Sequence, residues 1–495
     1  LGRTETAALD VDPLALLHER PDECANATLT RPQKIAGGVL IAAAAFFLWY
    51  RLVPFLLVLN AIAIIFYTVQ SLYKFYLVWA AMGGAVEIQV SQDEVAALRT
   101  EELPTYTLLV PLHREAEVLP QLVESLSRLD YPCEKLDIRL LLEEDDAPTI
   151  AAARSLRLQP PFSVFIVPDS APKTKPKACN YGLYTCESDL LVIYDAEDRP
   201  EPDQLKKAVA AFRKVRDQVI CLQAKLNYYN PRQNLLTRWF TAEYSQWFDL
   251  FLPGLTASRA PIPLGGTSNH FKVPQLKELG GWDPFNVTED CDLGVRLHKH
   301  GYSTAVVDST TWEEANSRLL GWIRQRSRWC KGYIQTYLVH MRHPATLIRQ
   351  LGLRDWFSFQ MTIGGLIFCL LVNPVYWAMT ALWFATRWQL ISAIFPLWVF
   401  ALGTVCLFFG NFAFVYIMVV GCMKRGYYDL VKYAVVCPVY WVLMSVGGWK
   451  AALQLLWRPH YWEKTTHGLA RAGSDQLSVA SGEQPDEEKG ERKKD

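Results

Sequence analysis

Two carboxylates one residue apart, Asp195 and Glu197, close the stretch DLLVIYDAED (189–198). Acids at that spacing can both reach one hard divalent cation, and Mg2+ or Mn2+ held by oxygen ligands often shares them with a diphosphate. A second acidic group, Glu289, Asp290 and Asp292, stands at the start of a helical pattern after Thr288. The positive end of a helix favours the anionic form of a general base there, although Thr288 or Asp290 can instead serve as a plain cap. A third group, Glu143, Glu144, Asp145 and Asp146, ends DIRLLLEEDD (137–146), where acids act as caps and turn residues about as often as ligands. Lys177, near the start of KPKACNYGLYTC (175–186), adds either a cation for phosphate or an ordinary surface lysine. Gln325, Arg328 and Trp329 sit in QRSRW on a basic segment. Residues 318–342 put Trp329, Tyr333, Tyr337 and Met341 on one helical face, with six basic residues (Arg318, Arg324, Arg326, Arg328, Lys331, Arg342) over much of the rest. An amphipathic helix at an anionic leaflet explains the stripe and the charge, but not an arginine placed beside the tryptophan.

These groups need a frame. YTLLVPL (106–112) reads as a buried strand ending in a Pro-Leu-His113 turn, and residues 115–129 have helical periodicity through Val118, Leu119, Leu122, Leu126 and Leu129. DIRLLLEEDD, FSVFIVP (162–168) and DLLVIYDAED supply three more strands, with the helix from 175 between the last two. Strands alternating with helices predict an α/β fold with a mostly parallel sheet, whose ligands bind beyond the carboxyl ends of the strands. The acid clusters and His113 lie at those ends. PLGGTSNHF (263–271) adds a glycine-hinged loop.

The chain has 495 residues, 51% hydrophobic, with zero formal net charge, so nothing draws it globally to nucleic acid. Eleven scattered cysteines without a C-x-x-C pair suit a reduced compartment, and residues 1–30 show no signal-peptide pattern. The Asn26-Ala-Thr28 sequon is expected to be fortuitous in a cytosolic tail. Apolar runs at 35–50 and 52–73, split by Arg51, predict a membrane hairpin, and Arg31, Lys34 and Lys74 put its outer ends in the cytoplasm. Residues 355–386 and 391–421 each suffice to span. Residues 433–457, with Pro438, Gly447, Gly448 and Lys450, either cross or lie in the interface or re-enter. The expected organisation is a cytosolic tail (1–33), a transmembrane hairpin (34–82), an α/β catalytic domain (83–317), amphipathic interface helices (318–350), C-terminal membrane helices with an interfacial segment (351–470) and a disordered tail (471–495).

The order EEDDAPT, KACN, DAED, TED, QRSRW between two membrane blocks resembles the membrane-embedded processive glycosyltransferases of family 2, the class of cellulose, chitin and hyaluronan synthases. The likeness covers about residues 104–340 and the membrane arrangement. It implies a GT-A domain on the cytoplasmic side of the plasma (inner) membrane, with at least four spans. It implies a nucleotide-binding face from Pro111, His113, Glu115 and the first acid cluster, Lys177 near the diphosphate, and a divalent cation (Mg2+ or Mn2+) on Asp195 and Glu197. Asp290, beside Glu289, would be the catalytic base. Gln325, Arg328 and Trp329 would be the Q-x-x-R-W motif, with the arginine on the leaving diphosphate and the tryptophan against the acceptor sugar. YWEKTTHG (461–468) resembles a gating loop, through Trp462, Lys464, Thr465 and Thr466. The usual D-x-D is D-A-E here, which keeps both carboxylates. Matching DDAPT to D-D-G-G-T favours Asp145 and Asp146 at the nucleotide, whereas counting from the strand end favours Glu144. The implied activity is inverting transfer from a UDP-sugar, by default UDP-glucose, to a growing polysaccharide that is translocated through the bilayer, with accessory envelope proteins as further partners. The alternatives are a non-processive lipid-linked sugar transferase and a membrane receptor or complex subunit with a scaffold domain.

Overall fold

The computed structural model describes residues 11–83 and 86–463. Eight strands form one sheet: β1 (Tyr106–Leu112), β2 (Leu136–Glu143), β3 (Phe162–Val167), β4 (Leu190–Ile193), β5 (Arg199–Pro200), β6 (Val219–Tyr228), β7 (Asn269–Lys272) and β8 (Ser303–Glu313), in the order β3-β2-β1-β4-β7-β6-β8-β5. The first four pair in parallel, β7 runs antiparallel to both neighbours, and β8 returns parallel to β6. Side chains alternate across the sheet, so each face gathers its own core. Leu109, Leu141 and Ile193 meet Ala178 and Leu183 of the helix Lys175–Tyr184 on one face. Leu108, Leu140 and Val192 meet Leu122, Leu126 and Leu205 on the other.

Four helices are long and apolar enough to cross a membrane: α1 (Arg31–Tyr50), α2 (Leu52–Met82), α3 (the run Pro344–Thr386, kinked at Gly352) and α4 (Leu397–Lys424). The cytoplasm-facing end expected for α2 is built into the core of the α/β domain. Its Tyr73, Leu77 and Val78 share one buried cluster with Phe251 and Leu255, and Gly254 lies so close to the Leu77 carbonyl that no side chain fits there.

The interface helix Leu319–His340 packs along the helix Pro438–Trp457, which follows a 69° bend. Both flanks of that second helix rest on soluble elements. Before it, Asp429 pairs with Arg232 at 2.8 Å and the Tyr433 carbonyl accepts from Trp239; after it, His460 Nδ1 lies 3.0 Å from the Phe285 carbonyl.

The segment expected to be a cytosolic N-terminal tail is packed against the rest of the chain over residues 11–30. Leu16, Cys24 and Ala25 are buried, Asp283 accepts from the Ala25 amide at 2.6 Å, and Arg342 donates to carbonyls of Pro21, Asp22, Cys24 and Ala27. Arg342 is therefore a fastening and not a lipid anchor. Arg326 and Lys331, expected on a basic membrane face, are buried too.

Candidate active site

One cavity of 1330 Å³ begins at the carboxyl ends of β1 and β4 and continues between the membrane helices. Pro111, His113, Glu115, Asp195, Glu197, Glu289, Asp290, Gln325, Arg328, Trp329 and Trp462 all line it. The strand-end rule is obeyed: β1 runs into His113, β4 into Asp195, and the break between them is where the sheet order reverses.

Asp195 Oδ1 lies 2.5 Å from Lys175 Nζ, which also donates to the Gly266 carbonyl at 2.8 Å. Behind it, Asp198 is buried, accepts from the Asp195 amide at 2.7 Å and from the Thr267 hydroxyl, and leaves its Oδ1 without a partner. Burial, with Asp195 and Glu197 nearby, pushes Asp198 far above the usual carboxylate range. Glu313 at the end of β8 is raised in the same way, by burial and by the field of Asp198, Glu197 and Asp195.

Among the described residues no three His, Cys, Asp or Glu side chains converge as a ready-made metal site. Cations of the Mg2+ type are commonly held by one or two carboxylates, with substrate phosphates completing the shell. Asp195 and Glu197 supply hard oxygens at the cavity wall, and Asp198 Oδ1 behind them has no partner, so the donor set fits such an ion.

Glu289 and Asp290 open the helix Glu289–Lys299. Burial, then Asp290 beside it, raises Glu289 to about 7 against the pull of Lys175. Burial raises Asp290 to about 6, held there by the Cys291 amide at 2.7 Å and by Lys175. Both groups thus titrate near neutrality, which suits proton transfer. Asp292 does not join them. It faces the opposite side of the helix, against His340 Nε2 at 3.0 Å and Arg296 Nε at 3.3 Å.

Arg328 faces this acidic end, and the charges of Glu289, Asp195, Glu197 and Asp290 all act on it. Its guanidinium lies 4.4 Å over the ring of Trp462. Lys464, Thr465 and Thr466 lie outside the described residues. Trp329 rests 6.0 Å from Phe240 and 6.2 Å from Tyr244. Arg326 sits 4.8 Å over its ring while forking onto Glu243, whose carboxylate also accepts from Tyr440.

Three sequence expectations are corrected. Lys177 does not face the cavity; it is fully buried and donates to Glu143 at 3.1 Å and to the Pro168 and Ser170 carbonyls. Residues two apart on a helix point to different sides, so Lys175 takes the cavity position. Within the first acid cluster, Asp146 caps the helix Ala147–Ser155 and accepts from the Arg114 amide, while Asp145 pairs with Lys173 at 2.5 Å. Glu144 accepts from the Asp169 amide at 2.9 Å, and Glu143 alone of the four lines the cavity. Sequence reasoning missed Lys175, Asp198, Glu243 and Glu313, and placed Arg326 only on a basic helix face. The only signal in the sequence was the paired lysine of KPK and the fourth residue of DAED.

The glycosyl transferase family 2 model matches residues 107–267, and the glycosyl transferase family group 2 model matches residues 190–424. The chain carries a family 2 glycosyltransferase domain. Its eight-stranded mixed sheet is the GT-A-type α/β fold expected from the strand pattern, joined to helices apolar enough to span a membrane.

Among curated relatives, the probable glycosyltransferase YdaM of Bacillus subtilis is 27% identical over 267 residues, 53% of this chain and 63% of that protein. The beta-monoglucosyldiacylglycerol synthase of Synechocystis is 27% identical over 301 residues, 57% of this chain and 61% of that protein. The probable glucomannan 4-beta-mannosyltransferase 7 of Oryza sativa subsp. japonica is 25% identical over 289 residues, 55% and 49% of the two chains. The chain thus spans about half to two thirds of the length of the relatives it matches. A solved mannosyltransferase of Pyrobaculum calidifontis, in complex with GDP-Man and Mn2+, aligns over 81% of this chain and 99% of its own at 17% identity and a TM-score of 0.48.

Proposed function

We infer that this glycosyltransferase transfers a hexose with inversion from a nucleotide-sugar, UDP-glucose by default, to the end of a growing polysaccharide, and that the product leaves through the cavity. The observation that carries this reading is the continuity of the cavity. It is lined along α4 from Phe400 to Met418, about 27 Å at 1.5 Å per residue, close to the ~30 Å thickness of a hydrocarbon core. Aromatic rings and side-chain amides and hydroxyls alternate along it, among them Tyr376, Trp377, Asn373, Thr404 and Asn411, a lining suited to sugar faces and hydroxyls.

In this reading Asp290 takes the proton from the acceptor hydroxyl as it attacks the anomeric carbon, with Glu289 holding the local charge. Asp195 and Glu197 would hold the Mg2+ or Mn2+, which when bound neutralises the diphosphate of the donor. Lys175 and Arg328 face the leaving nucleoside diphosphate, and Glu143, His113 and Glu115 border the nucleotide. Trp329, clamped by Arg326, offers its face to the acceptor sugar, and Trp462 covers Arg328 from the far side as part of a gate. The domain would stand in the cytoplasm, with the helix Pro438–Trp457 in the interface of the plasma (inner) membrane, since both its flanks rest on the soluble elements. Envelope proteins would receive the product.

A second reading, single transfer to a membrane lipid, is favoured by one observation. Trp377, Phe400 and Leu407 line the cavity and are 37%, 59% and 60% exposed, so this wall carries accessible apolar side chains that suit an acyl chain. The decisive experiment supplies purified protein with a panel of UDP- and GDP-sugars and Mn2+ or Mg2+. Nucleoside diphosphate release together with a long product supports the first reading, a one-sugar lipid product the second. No release from any donor would reject both and favour a scaffold.

A further inference from the structure

Lys74 carries a charge that the sugar chemistry does not use. It lies on α2, about 33 Å along the helix from Leu52 at 1.5 Å per residue, and so at the level where the cytoplasmic headgroups begin. A lysine there normally snorkels outward to water or to headgroups. This one turns inward. Its ammonium lies 4.1 Å from the ring centre of Phe414 on α4 and 5.8 Å from that of Phe251, and it lines the cavity. The one carboxylate whose charge reaches it, Glu243, is already held by Arg326.

One turn earlier on the same helix face, Gln70 is 1% exposed and also lines the cavity, with neither its amide nitrogen nor its amide oxygen partnered. It is wedged against Gly365, where no side chain would leave it room. Among the described residues Lys74 has no counter-ion of its own, and such an ammonium beside an orphaned buried amide, in a low-dielectric wall, is costly unless a ligand completes it.

We propose that Lys74 and Gln70 form an anion subsite that receives the phosphate of a membrane lipid, and that such a lipid is the first acceptor of this transferase. The depth matches lipid phosphates of the cytoplasmic leaflet, and the accessible apolar side chains of Trp377, Phe400 and Leu407 on the same cavity wall suit an acyl or prenyl chain. The proposal rests on the reading that the acceptor occupies this cavity. It holds whether one sugar or many follow.

The test is a binding measurement that needs no turnover. Protein is reconstituted in phosphatidylcholine nanodiscs containing spin-labelled phosphatidylglycerol or spin-labelled phosphatidylcholine, and the immobilised fraction is read by electron paramagnetic resonance. Wild type is expected to prefer phosphatidylglycerol roughly tenfold, the scale of one charge-assisted contact. Lys74→Gln and Lys74→Met remove the preference, Lys74→Arg keeps it, and Gln70→Leu weakens it. Arg31→Gln with Lys34→Gln, outside the cavity, leaves it intact. A preference that survives both neutral Lys74 variants, or that vanishes in the Arg31/Lys34 variant, overturns the proposal. So does displacement by a soluble oligoglucuronate but not by phosphatidic acid, which would assign the subsite to an acidic glycan. Donor turnover is scored separately, so a wild-type protein that releases nucleotide but shows no preference for phosphatidylglycerol sinks this inference alone.

Discussion

At the scale of single residues, chemistry in this site is set by burial more than by sequence spacing. Asp195→Asn and Glu197→Gln are each expected to abolish nucleoside diphosphate release with folding intact, because a lost ligand leaves diphosphate charge uncompensated. Normal turnover by either variant in chelator is the contrary result. Asp290→Asn should bind donor but transfer slower by a factor on the order of 10²–10⁴.

The raised carboxyls also predict two pH effects. A base that titrates near 6 must be ionised, so kcat/KM should fall as pH drops below about 6 and level off above it. The stability effect has the opposite sense. A carboxyl raised on folding binds its proton more tightly in the native state, so its stabilisation is present at low pH and lost as pH rises through about 6 to 7. Asp290→Asn, inactive, should therefore melt above wild type at pH 8; a lower melting point at that pH would show that Asp290 is not strained by burial. Arg328→Lys should cut turnover sharply, since a lysine cannot copy a planar multi-donor contact, whereas Arg324→Lys, which is exposed, should stay active. Equal activity of the two variants would remove Arg328 from the leaving-group site.

At the scale of elements, the helix Leu319–His340 aligns the site by packing. Its Gly332 lies against the Thr288 side chain, immediately before Glu289 and Asp290, in a gap that cannot take a methyl group without displacement. Gly332→Ala should shift the start of the helix Glu289–Lys299, lowering kcat at least tenfold for an overpacking strain of about 1–3 kcal/mol. Crystals or melting curves of the variant showing an unmoved Thr288 and full kcat would dismiss this coupling. The N-terminal segment is fastened to the opposite face of the same helix. Lys299 and His300 hold Glu23 at 2.6 and 3.0 Å, and Asp283 holds the Ala25 amide. Arg342→Ala, which removes donors to four of its carbonyls, should make residues 11–30 sensitive to limited proteolysis while wild type resists. Equal resistance would mean the buried Leu16 and Cys24 hold the segment alone.

At the scale of the whole molecule, the catalytic domain and the membrane helices share one core and one cavity. Tyr73 and Leu77 of α2 pack with Phe251 and Leu255, so the carboxylate end of the cavity and its stretch between the apolar helices are held in fixed register. Thr404→Trp, placed toward the Phe400 end of the α4 wall, should shorten or abolish the polymer while leaving hydrolysis of the donor by water within about twofold of wild type. Unchanged product length would show that the acceptor does not travel that way.

Sequence alone determined the membrane hairpin, the parallel strands β1 to β4, the paired Asp195 and Glu197, the Glu289-Asp290 helix start and the Q-x-x-R-W helix. Each is legible because it is local: hydrophobic length, a period of two or 3.6, a strand end, a motif of a few residues. The second half of the sheet was not legible, because β6, β7 and β8 pair across insertions that carry no periodic link. Choosing between Lys175 and Lys177 was beyond it as well, since both open one helix and only the packing of that helix against β2 turns Lys177 inward onto Glu143. Docking of residues 11–30, the clamp from Arg326 to Glu243 and Tyr440, and the inward Lys74 join residues 83 to more than 300 positions apart, or depend on which face of a helix meets another. Those choices belong to tertiary structure because the free energy of burying a charge is set by its neighbours in space, which chain order does not name.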